Sequence, residues 1–218
     1  MPKYIDLSHI IEEGMLTYTG LPGPVISDHM SRKDSESHYS DGTTFQIGKI
    51  EMIANTGTYI DAPFHRYEEG QDLSALKMAA IANLDGIVFR AAHGVRSIDK
   101  DVFESDNLEG KAVLIHTGWD QHWRTDAYFE NHPFLSRNAA EHLKASGAAL
   151  VGIDSLNIDD TADGFRPVHS ILLKAGIPIV EHMCHLDRLP DQGFRFFAVP
   201  APVRGMGSFP VRAFAIVD

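Results

Sequence analysis

Residues 55–65 read Asn-Thr-Gly-Thr-Tyr-Ile-Asp-Ala-Pro-Phe-His. Four polar side chains, Asn55, Tyr59, Asp61 and His65, follow one another at intervals of four, two and four. Gly57 allows the backbone to approach a neighbour closely, and Pro63 fixes a bend. A carboxylate four residues before an imidazole, on such a pinned loop, can serve a metal and a general base respectively. The competing reading is a structural turn in which Asp61 accepts backbone N–H groups.

Downstream, His169 opens a helical run, His-Ser-Ile-Leu-Leu-Lys-Ala-Gly, and Glu181 ends an apolar strand, Ile-Pro-Ile-Val-Glu. An acid directly after Ile-Val sits in or beside a core, where an unpaired charge is costly; a metal, an Arg or a Lys relieves that cost. If Glu181 faces a site, His182 faces away, because neighbours on a strand point to opposite faces. Between these lies Gly152-Ile153-Asp154-Ser155-Leu156-Asn157-Ile158-Asp159-Asp160. Acids after a buried strand stand where α/β folds place ligands, although Asp and Asn also favour turns. The chain has 12 His. His9, His29, His93, His122, His132 and His142 have no ligand-like spacing and read as hydrogen-bonded or surface groups. There is no Gly-rich phosphate loop and no G-x-S-x-G elbow.

Short apolar runs at Gly86–Phe89, Ala112–His116, Ala149–Ile153 and Ile177–Val180 predict buried strands. Phe45–Ile53 alternates, and Phe194–Pro200 and Ala213–Val217 add strand pattern. Helices are expected from the Ser136 cap to Ser146, stopped by Gly147, over Leu73–Asn83, and over Val168–Lys174. Residues 20–43 read as a long loop or arm, and loops of that length serve a function or pack on a partner subunit. These elements define an α/β class with a mixed, partly barrel-like sheet in a single domain over 1–218.

With 218 residues, 44% hydrophobic and 22% charged, the composition is that of a globular protein. A net charge of −11 repels nucleic acid and anionic membrane. No apolar window approaches a membrane span, the first residues show no signal region, and the single Cys184 fits a reducing compartment as a small core residue. A cytoplasmic protein acting on a small molecule is expected.

At Asn55–His65 the chain resembles the cyclase-like metal-dependent hydrolases, which include bacterial kynurenine formamidase and isatin hydrolase. Their signature, H-x-G-T-H-x-D-x-P-x-H, aligns with these eleven residues. Asp6-Leu7-Ser8-His9, Thr117-Gly118-Trp119, His132-Pro133, Gly152-Ile153-Asp154, and His169 with Glu181 twelve residues on are also similar to family segments. The resemblance implies a swivelling β/β/α fold, a homodimer or homotetramer, and a divalent metal, zinc or manganese. It assigns Asp61, His169 and Glu181 as metal ligands and His65 as the base that takes a proton from water. Two signature His are replaced, by Asn55 and Tyr59. Asn is a weak neutral ligand, and Tyr must lose a proton with pKa near ~10 before it coordinates well. One metal with three ligands and an open position for water remains compatible with this set. The expected activity is hydrolysis of an amide or cyclic amide, arylformamidase-like. The alternatives are a metal-free binding or structural relative, and a metal-independent acid–base enzyme using Tyr59, Asp61 and His65. Asn55, Phe64, Trp119 and His38 are the substrate-facing candidates, with His38 and Tyr39 placed to reach a neighbouring subunit's pocket. Tyr59 can bond a substrate oxygen instead of a metal.

Overall fold

The computed structural model describes residues 1–103 and 107–217. Its strands begin with β1 (Lys3–Asp6), β2 (Val25–Met30), β3 (Ile47–Glu51), β4 (Tyr59–Asp61), β5 (Leu84–Arg90) and β6 (Ser97–Ile98). They continue with β7 (Ala112–His116), β8 (Phe134–Leu135), β9 (Leu150–Ile153), β10 (Ile179–Glu181), β11 (Gln192–Phe197), β12 (Ser208–Pro210) and β13 (Phe214–Val217). Three α-helices lie among the described residues: α1 (Arg32–Ser35), α2 (Arg137–Ala145) and α3 (Pro167–Lys174). Nine strands form one mixed sheet in the order β1-β13-β11-β5-β7-β9-β10-β4-β12, curled into a half-barrel. Its middle, β5-β7-β9-β10, is parallel and its flanks are antiparallel. This is the single-domain α/β fold with a swivelling β/β/α arrangement that the strand pattern and the resemblance implied.

Strand β9 and β7 up to Ile115 are apolar throughout because both of their faces are covered. Along β7, Ala112 and Leu114 enter the core inside the curl, with Ile5, Ile60, Val180 and Phe196. Val113 and Ile115 enter the outer core, under α2 and α3, with Leu143, Val168 and Leu172. Gly152 is required where β9 crosses this packing. A Cβ there would lie 2.6 Å from the Met183 sulfur and 2.8 Å from Leu114 Cδ2.

Local signals explain the helices. The Ser136 hydroxyl accepts from the Ala139 amide at 3.1 Å and starts α2, as its sequence position suggested. Pro167 opens α3, where its missing N–H costs nothing. The expected helix over Leu73–Asn83 does not form, and only a 3-10 turn at Met78–Ala80 remains. Tertiary pairing outweighs propensity there. The Leu73 amide donates to the Met206 carbonyl at 3.0 Å, and the Asp72 carboxylate accepts from Ser74, Ala75 and Gly205. The arm at 20–43 is more ordered than a loop, containing β2 and the Ser31-capped α1. The alternating run Phe45–Ile53 shortens to β3, which pairs with β2 rather than with the main sheet. Strand β11 stops at Phe197, short of the expected Pro200.

Candidate active site

Three neighbouring strands build the floor of a cleft. In the antiparallel β4–β10 pair, Tyr59 stands opposite Glu181, so their side chains share a face. Asp61 lies two residues along β4 and shares that face too. Ser208 stands opposite Asp61 in the β4–β12 pair. The intervening Ile60 and Val180 point the other way, into the core of the curl. A fourth element completes the floor: His169, in the first turn of α3, reaches over it. Its Nε2 lies 3.6 Å from Asp61 Oδ2 and 3.7 Å from Glu181 Oε1.

His169 is fixed by Asp159. One carboxylate accepts from the backbone amides of Val168 at 2.7 Å and His169 at 2.9 Å, and from His169 Nδ1 at 2.7 Å. It therefore caps α3 and orients the ring with Nε2 toward the floor. Burial opposes charge on this imidazole, but the carboxylates of Glu181, Asp159 and Asp61 outweigh it and push the pKa up to about 10. At 3.6 Å, Nε2 is too far from Asp61 Oδ2 for a hydrogen bond, and that oxygen is buried without any hydrogen-bond partner.

His65 sits on the 3-10 turn Pro63–His65, beside the floor. The Ser208 hydroxyl donates to Asp61 Oδ1 and lies 2.8 Å from His65 Nδ1. With its proton given to Asp61, Ser208 accepts from Nδ1–H. The free lone pair is then on Nε2, and His65 lines the cleft, where that nitrogen can serve as a base or a ligand. This arrangement needs a glycine at 207, where a Cβ would lie 2.3 Å from the His65 amide nitrogen.

Tyr59 is not placed as a metal ligand. Its hydroxyl donates to Glu181 Oε2 at 2.5 Å and lies 2.7 Å from the Tyr18 hydroxyl. Burial, then the Glu181 charge, raises the pKa of both phenols well above the usual value, so Tyr59 remains a protonated donor. Glu181 Oε1 accepts from the Ile158 amide at 2.6 Å, and Asn157 Nδ2 approaches Oε2 at 3.4 Å. Burial raises the Glu181 pKa even so. His182 turns away from the cleft, as strand alternation predicted, with Nδ1 2.9 Å from the Tyr128 hydroxyl.

The cleft encloses about 320 Å3 and is lined by Tyr18, Leu21, Asn55, Tyr59, His65, Arg66, Asn157, Arg166, His169 and Glu181. The structure thus brings Asn55, Tyr59, His65, His169 and Glu181 together around Asp61. Phe64, Trp119 and His38 do not line it. The Trp119 indole N–H donates to the Tyr128 carbonyl at 3.0 Å, and His38 is exposed on the arm. Asp154 is also elsewhere, receiving the amides of Thr117 and Gly118. Tyr18, Ser208, Arg66 and Arg166 had no sequence signal, whereas Asn157 and Asp159 lay in the acidic stretch after β9.

Asp61, His65 and His169 each offer a ligand atom within 4.8 Å of the others. An unbonded buried carboxylate oxygen beside two imidazoles fits a divalent cation, since a cation would satisfy the oxygen and replace the proton on His169. Fold and site define a class: an α/β protein with a carboxylate–histidine centre able to coordinate a metal. The chain belongs to the putative cyclase family, which matches residues 5–160. It is 29% identical over 212 residues to a kynurenine formamidase of Bacillus cereus, covering 97% of this chain and 96% of that protein. The kynurenine formamidase of Geobacillus thermodenitrificans is 28% identical over 215 residues, covering 98% and 97%. A solved structure described as a potential metal-dependent hydrolase with cyclase activity superposes with a TM-score of 0.82 at 26% identity, covering 100% of this chain and 99% of that one. Isatin hydrolase A from Labrenzia aggregata shares the fold, with a TM-score of 0.82 at 18% identity, covering 99% of this chain and 94% of that one.

Proposed function

We propose that the chain is an arylformamidase-like hydrolase of an amide or cyclic amide, using one divalent metal, zinc or manganese. The observation that carries this reading is the orphaned Asp61 Oδ2 facing His169 Nε2 in a closed, acidic floor. Asp61 and His169 would hold the ion, with Glu181 as the third ligand. When bound, it would supply a Lewis acid for the amide carbonyl and acidify a water. His65 Nε2 takes a proton from the attacking water and returns it to the leaving nitrogen. Ser208 keeps His65 in that tautomer. Tyr59 donates to Glu181 and holds the carboxylate against His169. Asn55, on the cleft wall, offers a neutral donor and acceptor to the substrate amide.

His65 also belongs to the Asp61–His65–His169 cluster, so its role needs a direct test. The protein is prepared without chelator, its metal content measured, and formanilide hydrolysis followed. The reading expects about one zinc or manganese per chain and loss of turnover with chelator. His65→Gln should keep the metal and lose turnover by about a hundredfold or more, the scale of lost general-base catalysis. Loss of the metal from His65→Gln would instead make His65 a ligand. Turnover indifferent to chelator favours acid–base work by Tyr59, Asp61 and His65, and protein with neither metal nor turnover is a binding relative.

The same reading makes the protein a homodimer or homotetramer. The β2–β3 hairpin supports this, because its Val25, Ile26, Ile47 and Ile50 stay 43–53% exposed. The lone buried thiol of Cys184 supports a reducing, cytoplasmic setting.

A further inference from the structure

Two arginines face the cleft in a chain of net charge −11. Arg90, Arg96, Arg124, Arg195 and Arg212 each pair with a carboxylate. Arg66 and Arg166 make no ion pair among the described residues, and only neutral groups hold them. Arg66 Nε donates to Ser170 Oγ at 3.2 Å and its Nη2 to the Phe165 carbonyl at 3.4 Å. Arg166 Nη1 donates to Asn157 Oδ1 at 3.2 Å and to the Asp160 carbonyl at 3.4 Å, and its Nη2 to the Thr161 carbonyl at 3.4 Å. These long bonds aim the guanidinium forks without neutralising them. Arg66 Nη1 and Arg166 Nε take part in none of them, so donors remain for a ligand.

The backbone also commits Arg166 to this place. It sits at φ 48°, ψ 60°, a left-handed conformation unusual for a residue with a side chain. Pro167 disfavours the helical region for it, and the turn carries the chain from the Asp159–Asp160 loop into α3. Strain of this kind collects where a side chain must be aimed. Asp61 and Glu181 make the floor acidic, so an anion would be repelled unless the mouth offset them. Two unpaired guanidinium groups supply that local reversal of field.

We infer that the cleft selects substrates carrying a carboxylate, which Arg66 and Arg166 bind at the wall while the amide lies over the floor. This rests on the amide-hydrolase reading and narrows it to small N-acylated amines or cyclic amides that bear an acid group. Planar, forked guanidinium groups recognise a carboxylate through paired N–H donors, which a lysine would not reproduce. A cavity of about 320 Å3 admits one ring with short substituents, so the acid group stands close to the scissile bond.

Benzoate and its neutral isostere benzamide separate charge from shape. Calorimetry on the wild-type protein should show benzoate binding at least tenfold more tightly than benzamide. Arg66→Gln and Arg166→Gln should each weaken benzoate about five- to tenfold and narrow the gap to benzamide. The ratio of kcat/KM for 2-formamidobenzoate over 2-formamidobenzamide should fall about tenfold in each variant. Arg66 is exposed, so its variant and the wild-type comparison decide the matter even if Arg166→Gln fails to fold. Equal binding of benzoate and benzamide, or benzoate affinity unchanged in Arg66→Gln, overturns the inference. Arginine-dependent benzoate binding without hydrolysis of either formamide sinks the hydrolase reading and leaves carboxylate selection standing. Hydrolysis of both formamides at one kcat/KM, with the ratio unmoved by the variants, does the reverse.

Discussion

The cleft floor and the β2–β3 hairpin break the same rule in opposite directions. In the floor, Asp61 and Glu181 are fully buried and His169 almost so, among the strands of the main sheet. In the hairpin, Val25, Ile26, Ile47 and Ile50 are 43–53% exposed, so the described residues cover them only in part. Charge inside is expensive and is kept only where something compensates it. Here the compensation is local: Asp159 satisfies His169, while Tyr59 and the Ile158 amide satisfy Glu181. Apolar surface outside is ordinary residue by residue, but a two-stranded ribbon with apolar side chains on both faces is marginal by itself. The floor lacks a partner only at Asp61 Oδ2, whereas the hairpin leaves a whole apolar ribbon half exposed.

The floor is most sensitive at Asp61. Asp61→Ala removes a carboxylate whose Oδ2 has no hydrogen bond and whose Oδ1 holds only Ser208, which keeps His65 as a partner, so the fold should lose little. Turnover of formanilide should fall by about a thousandfold or more, the upper part of the range for one general base, and bound metal should be lost. A large stability loss with turnover retained would make Asp61 structural. Asp159→Asn attacks the compensation instead. It removes the negative charge that His169 Nδ1 meets and weakens the cap of α3, which should cost about 2–4 kcal/mol in urea unfolding. A cost below about 0.5 kcal/mol would mean that the floor does not depend on that carboxylate.

A smaller effect comes from pH. Burial, and then the nearby His185, lowers the His9 pKa from 6.5 to about 4 where the ring stacks on Trp123. The unfolded chain takes up a proton below about pH 6.5 that the folded chain refuses. Stability is therefore present above that pH and lost as pH falls toward 4. Between pH 7 and pH 5 this site should cost about 1–2 kcal/mol, visible as a lower urea midpoint. His9→Gln should flatten that slope, and an unchanged slope would assign the loss to other groups. The smallest effect on stability belongs to the hairpin. Ile26→Lys with Ile50→Lys places two cations opposite each other on a half-exposed face. The monomer should lose no more than about 1 kcal/mol, because little apolar area is buried there. Sedimentation should show a lower mass than the wild type. An unchanged mass would remove the hairpin from any interface.

The sequence made the middle of the fold legible because β7 and β9 are buried on both faces and read as unbroken apolar runs. It made α2 legible through the Ser136 cap. The Leu73–Asn83 helix was misread because its competitor is the 203–206 loop, far away in sequence. Asp61, His65, His169 and Glu181 could be found because each stands beside a Gly, a Pro or the end of an apolar run. Tyr18, Ser208 and Arg66 could not, because their neighbours exist only after β4, β10 and β12 have paired. The alternation expected over Phe45–Ile53 does not make a buried face: all five residues of β3 are exposed, and Ile47 and Ile50, three apart, point to opposite sides.

The Gly207–Ser208 step ties His65 to the far side of the chain, since Ser208 and Asp61 are 147 positions apart. Contacts of such long range carry a loop-closure cost, and so do the β4–β10 pairing and the reach of His169 to Asp61. No short stretch of chain holds the cleft by itself. The orientation of His65 is thus a readout of a completed strand order, because the hydroxyl that sets it arrives on β12.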